Sequence, residues 1–151
     1  MATKCLPDEK RCRWMSVLAE SDSADLEQFW ERFGPRPQYE VVQGPETGLL
    51  MVQGRVGGTG ARFCVGEVTV TRCTVVMPSG AVGTAMVLGC RPRHAEIAAA
   101  IDAALQNERE RTRILEQIVA PLEQRLKEAC QREASRVMAT QVHFDTMVRG
   151  E

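Results

Sequence analysis

Apolar residues recur along this chain with two different periods, and the switches between them divide it into three segments. Near the start, Trp14, Val17 and Leu18 fall at i, i+3 and i+4, one stripe of a helix expected from about Asp8 to Glu20. Leu26, Phe29, Trp30 and Phe33 extend the same pattern to i+7. Ser23 stands ahead of them as the expected N-cap, with Asp25 and Glu27 near the positive end of the helix. Gly34 admits a left-handed turn and Pro35 and Pro37 forbid continuation, so the second helix ends there.

From Tyr39 the period shortens to two, and four strands are expected, at 39–43, 49–56, 65–77 and 82–89. Gly44-Pro45-Glu46-Thr47-Gly48 reads as turn chemistry between the first two. Gly57-Gly58-Thr59-Gly60 links the second to the third, and Pro78-Ser79-Gly80 is a tight connection to the fourth. That last strand carries Gly83, Ala85, Val87 and Gly89 on one face, small enough for a helix to approach closely.

Beyond Pro92 the helical period returns. Ile97, Ile101 and Leu105 recur every four residues among alanines, and Leu115, Ile118, Leu122, Leu126 and Ala129 form a later seam. Pro121 falls inside that seam and predicts either a kink or two abutting helices. Continuous to Ala139, the run would be roughly 45 Å long at 1.5 Å per residue. A globule of this size is about 40 Å across, so the seam either overhangs towards a partner or folds back. The end alternates Val142, Phe144, Thr146 and Val148, an extended segment expected to dock on something. The expected fold is α+β, one domain over 1–151. It has two short N-terminal helices in 8–34, an antiparallel four-stranded meander in 38–90, a long helical segment, straight or kinked, in 92–139 and a docking tail at 140–151.

Composition narrows the function by exclusion. The 151 residues carry a net charge of −1, a pI near 6.2 and 5 % aromatics, which gives neither the basic field nor the stacking surface of a nucleic-acid binder. No apolar run approaches the ~18–20 residues that span a bilayer. Lys4, Asp8, Glu9, Lys10 and Arg11 crowd the start without an apolar core, so no secretion signal or membrane association is expected and the chain is read as cytoplasmic. The six cysteines include no C-x-x-C pair and there are two histidines, so no metal site is expected. Free thiols packed as small hydrophobes in a reducing compartment are the expectation instead.

Three places could carry chemistry. Gly57, Gly58, Thr59 and Gly60 have the composition of a phosphate cradle, with Arg55 and Arg62 nearby. The lysine, hydroxyl and following helix of a P-loop are missing, so a turn between strands competes with a backbone nest for an anion or a partner chain. Arg72 shares a strand face with Val68, Val70 and Val76, where an arginine calls for an acid partner or an anion. His94 lies two residues before Glu96, on a different helical face, so the two cannot simply act as a pair. No nucleophile–base–acid set assembles, and no catalytic residue is assigned. Glu108-Arg109-Glu110-Arg111 reads as a solvated helix face.

Seven blocks, in order, resemble the PhnG family. They are Trp14-Met15-Ser16-Val17-Leu18-Ala19, Glu46-Thr47-Gly48-Leu49, Gly57-Gly58-Thr59-Gly60, Thr69-Val70-Thr71-Arg72, His94-Ala95-Glu96, Ala120-Pro121-Leu122 and Thr146-Met147-Val148-Arg149-Gly150. The likeness runs from about Arg13 to Gly150. Two stretches depart from the family pattern: Cys90-Arg91-Pro92-Arg93 ahead of His94, and Val142-His143-Phe144-Asp145 in the tail.

The resemblance implies the small subunit of the bacterial carbon–phosphorus lyase core complex, a subunit of α-D-ribose 1-methylphosphonate 5-triphosphate synthase. That assembly displaces adenine from ATP with a phosphonate oxygen, in phosphonate catabolism. The resemblance further implies larger core subunits as partners in a two-fold symmetric hetero-oligomer, an attached ATP-binding-cassette protein and glycosidic-bond chemistry on a larger subunit. ATP is then a substrate of the complex, and this chain binds no cofactor by itself. The alternatives are a subunit that supplies anion-binding residues directly, through Arg72, Thr59 or His94, and a free-standing small-molecule binding domain.

Overall fold

The computed structural model describes residues 9–142. Two short helices, α1 (Glu9–Glu20) and α2 (Ser23–Arg32), precede three strands, β1 (Glu40–Arg55), β2 (Arg62–Val76) and β3 (Val82–Leu88). Three more helices follow, α3 (Pro92–Leu105), α4 (Glu108–Ile114) and α5 (Ala120–Met138), with a π turn over Leu115–Val119 between the last two. No helix among the described residues is long and apolar enough to cross a membrane.

The sheet has three antiparallel strands in the order β1-β2-β3, which corrects the expected four. Residues 44–48 do not separate two strands. They lie within one 16-residue strand, β1. The turn chemistry is spent on a bulge: Gln43 pairs with Thr74 and Glu46 with Arg72, so Gly44 and Pro45 together oppose Cys73. Gly44 takes φ 80°, and a Cβ there would come 2.5 Å from the carbonyl oxygen of Arg72. Pro45 is tolerated because β1 is an edge strand, where a missing N–H breaks no ladder. The α+β class stands.

One helix organises the interior. On α3, His94, Ala95 and every residue from Ile97 to Leu105 are buried, so the helix is covered around its whole circumference. It packs on all three strands and on α1, α2 and α4. The covered face of the sheet presents Thr71, Cys73, Val75, Gly83 and Val87 to it, as alternation requires. Thr71 also closes the turn into α3, since its hydroxyl donates to Gly89 O at 2.6 Å and accepts from Arg91 N at 2.9 Å. At the far end the Arg111 guanidinium donates to the carbonyls of Leu105 and Gln106, capping α3. Arg111 is therefore half-buried, unlike the solvated face expected for that run.

Asp22, and not Ser23, caps α2: its carboxylate accepts from the amides of Ala24 and Asp25. Leu26, Trp30 and Phe33 are buried beneath α2. Arg113 stacks over the Phe33 ring and Arg125 over Phe29, with Arg125 also paired to Asp25, which ties α2 to the C-terminal helices.

Pro121 produces neither a break nor two separate helices. The Ala120 amide reaches back five residues to Leu115 O, widening the turn ahead of a ring that has no N–H to give. The helical run is continuous from Glu108 to Met138, and every described residue from Lys127 on is exposed. The end of the helix thus overhangs, while the seam itself is largely covered: Ile118 and Leu122 are buried and Leu115 and Leu126 pack against the core. Of the tail, 141 and 142 are exposed, and 143–151 lie outside the described residues.

Candidate functional site

The expected site residues are spread over one ribbon and its base. Gly57, Gly58, Thr59 and Gly60 form the tip of the β1–β2 hairpin, where Gly57 and Gly58 take φ of 57° and 83°. Arg72 lies ten residues of strand away, roughly 30 Å at the rise of a β-strand. His94 is in the first turn of α3, under the body. The structure does not bring these three together.

Arg72 has the acid partner its position calls for. It donates from Nε and Nη2 to Glu46 Oε2, at 3.3 and 3.1 Å, directly across the β1–β2 ladder. The pair sits on the face of the sheet turned away from the helices, with both side chains more than half exposed. In water such a pair contributes about 0.2–1 kcal/mol, so its position on the open face matters more than its stability.

His94 is buried and fully engaged. The Leu18 carbonyl, 2.7 Å from Nε2, can only accept, so Nε2 carries the proton and Nδ1 accepts from the Ser23 hydroxyl at 3.0 Å. The imidazole fastens α3 to the junction of α1 and α2. Burial holds its pKa below the usual histidine value, opposed by the hydrogen bond to Leu18 and assisted by Arg91. The depressed pKa means the unfolded chain binds the proton more tightly. Stability from this group is complete above the unfolded value, about 6.5, and is lost as pH falls through the folded value. We expect the urea midpoint to drop between pH 6.5 and 5, with His94→Gln flattening that part of the profile at a lower plateau. A wild-type profile flat over that window would contradict this account. Glu96 turns the other way, accepting from the Tyr39 hydroxyl at 2.8 Å, and its carboxylate helps burial raise the tyrosine pKa.

The polar centre missing from the sequence reading is Asp102, wholly buried on α3. It accepts from Arg11 Nε and Nη2 (3.1 and 2.7 Å), Trp14 Nε1 (3.0 Å) and the Thr84 amide (3.0 Å). Helix α1, helix α3 and strand β3 meet on this one carboxylate. A signal for it exists in the chain: Asp102 is the sole charge between Ile97 and Leu105. It borders an apolar cleft of about 270 Å³ between α1 and β3, with every donor it touches accounted for by the fold.

A second recess, of about 390 Å³, has Lys10, Arg13, Trp14, Arg111 and Glu123 on its walls. Arg13 pairs with Glu123 at 2.8 Å, and Arg111 with the end of α3. The Arg13 guanidinium in turn holds the Glu123 carboxyl below its usual range. Among the described residues no three histidine, cysteine or acidic side chains cluster as a metal site would require. Cysteines 12, 64, 90 and 130 are free and exposed and Cys73 is buried, so only Cys73 is packed as expected; Cys5 lies outside the described residues.

What remains is surface. Strand β3 ends against Val70, so from Leu49 to Arg55 and from Arg62 to Thr69 the β1–β2 hairpin continues as a two-stranded arm. Leu50 and Val52 lie on one face of the arm, Leu49 and Met51 on the other, and all are exposed. The open face of the sheet adds Val82, Met86 and Leu88, also exposed.

Comparison with known proteins decides the family. The family described as phosphonate metabolism protein PhnG matches residues 9–150. This chain belongs to the PhnG family. A relative from Rhizobium meliloti (strain 1021), named α-D-ribose 1-methylphosphonate 5-triphosphate synthase subunit PhnG, is 39 % identical over 142 residues. The alignment covers 94 % of this chain and 90 % of that PhnG protein.

Proposed function

We propose that this chain is a non-catalytic subunit of an assembly that transfers the ribose 5-triphosphate unit of ATP to methylphosphonate with release of adenine. In that reaction a phosphonate oxygen attacks the ribose C1′, the C1′–N bond breaks, and adenine leaves with the electron pair. The chain contributes shape to larger subunits that carry the reacting groups. Two-fold symmetry, an attached ATP-binding-cassette protein and a cytoplasmic setting belong to the same reading. ATP is the substrate of the assembly, with no cofactor held by this chain.

The observation that carries the reading is the exposed apolar surface of the arm and open sheet face, in a chain whose relative is named as a subunit. Apolar side chains gathered in this way on a protein surface mark a contact with another chain. The alternative, an anion site built from Arg72, Thr59 and His94, has less support, since Arg72 is held by Glu46 and both His94 nitrogens are engaged.

Co-expression with the larger synthase subunits tests the proposal. The chain is expected to co-purify with them, and adenine release from ATP and methylphosphonate to fall to background when it is omitted. A stable monomer with no affinity for those subunits would overturn it.

A further inference from the structure

The arm is an unusual object for a folded chain to leave in water. A two-stranded hairpin is marginally stable alone and needs a further strand or a packed face. Apart from the Thr69 carbonyl at its base, which accepts from the Gly89 amide at 2.7 Å, this one has neither, yet Leu49 is 68 %, Met51 57 % and Val65 62 % exposed. Apolar side chains project from both of its faces, so a flat partner surface would leave one side wet. The outer edge of β1 is also unpaired along its length among the described residues.

The charges are as one-sided as the geometry. Between Glu46 and Glu67 the chain has two arginines, Arg55 and Arg62, and no carboxylate. The two arginines are paired across the ladder at the tip, so like charges stand side by side at the end of the arm. Among the described residues Arg55 reaches a backbone carbonyl, Gly60 O at 3.3 Å, and no acid. Cross-strand like charges destabilise a hairpin unless acids from elsewhere offset them.

We propose that residues 49–69 insert into a cleft of a partner protein with apolar walls and a carboxylate-bearing floor, where Arg55 and Arg62 form ion pairs. The partner is one of the larger subunits of the proposed synthase, so this inference rests on that reading. The insertion covers both apolar faces at once and supplies the acids that the tip lacks. Residues 49–69 match the size of one side of a stable interface, about 20–30 residues.

Hydrogen exchange on the intact co-expressed complex tests this without any substitution. Amides of 49–55 and 62–69 are expected to exchange at least about tenfold more slowly in the complex than in the isolated chain. Two double variants follow, Arg55→Glu with Arg62→Glu and Leu49→Ser with Met51→Ser. Each is expected to weaken association by about tenfold or more, the first in a salt-dependent way, while the circular dichroism and melting temperature of the isolated chain stay unchanged. Unchanged arm exchange in a complex that forms normally would overturn the insertion and leave the subunit reading intact. Failure of the wild-type chain to associate at all would instead remove that reading. Dimerisation of the isolated chain, or binding to anionic phospholipid vesicles, abolished by the same substitutions would assign the arm to another occupant and overturn the proposal.

Discussion

Asp102→Ala should lower the stability of the isolated chain by about 3–5 kcal/mol, read from urea unfolding. The wild-type carboxylate is wholly buried and accepts four hydrogen bonds, two from Arg11, one from the Trp14 indole and one from the Thr84 amide. Truncating it leaves the indole and amide donors without an acceptor and the guanidinium of Arg11 without its buried counter-charge. Each is costly in a low-dielectric interior, and domains of this size have only about 5–15 kcal/mol in total. Asp102→Asn keeps the shape and one acceptor but removes the charge, so it should fall between wild type and alanine. A loss under about 1 kcal/mol for the alanine variant, no more than one ordinary hydrogen bond, would show that the three elements do not depend on this carboxylate.

Gly83→Val should be comparably severe, with a loss of about 3 kcal/mol or more, or no soluble folded protein. Gly83 lies on the covered face of β3, where α3 comes closest. A Cβ there would overlap the Ala99 carbonyl oxygen and stand 2.5 Å from the Ala103 nitrogen. Those are backbone atoms of a helix with no free side to retreat to, so relief requires moving α3 off the sheet. Gly48→Ala is the control, because a Cβ at Gly48 meets nothing within 4 Å. Equal melting temperatures for the Gly83 variant and the control would contradict the close approach.

How much of this is legible in the chain differs from element to element. Gly83, Ala85 and Val87 announce a face that admits a helix, because residue size along one strand face is a local property. The i, i+3, i+4, i+7 spacing of Leu26, Phe29, Trp30 and Phe33 places α2 for the same reason. The expectation of a fourth strand fails because Gly-Pro followed by Gly is identical chemistry in a hairpin turn and in an edge-strand bulge. Only the pairing partner, with Cys73 opposing both Gly44 and Pro45, distinguishes them. Pro121 likewise permits a kink, a break or a widened turn, and the bond from the Ala120 amide to Leu115 O identifies the last. His94 and Arg72 stand out in the sequence as polar residues in demanding positions, but their partners, Leu18, Ser23 and Glu46, are 76, 71 and 26 residues away in the chain.

By itself the sequence determined the α+β class and where helical spacing gives way to extended spacing and back, since these follow from near-neighbour spacing, but it did not determine the number of strands. The tertiary structure decided which charges are satisfied and which surfaces are left over. Asp102 stands out as the sole charge between Ile97 and Leu105, but its partners Arg11, Trp14 and Thr84 are fixed only when α1 and β3 close over it. The β1–β2 arm is an ordinary hairpin until β3 is seen to stop at Leu88, because burial is a property of what lies opposite a residue in space.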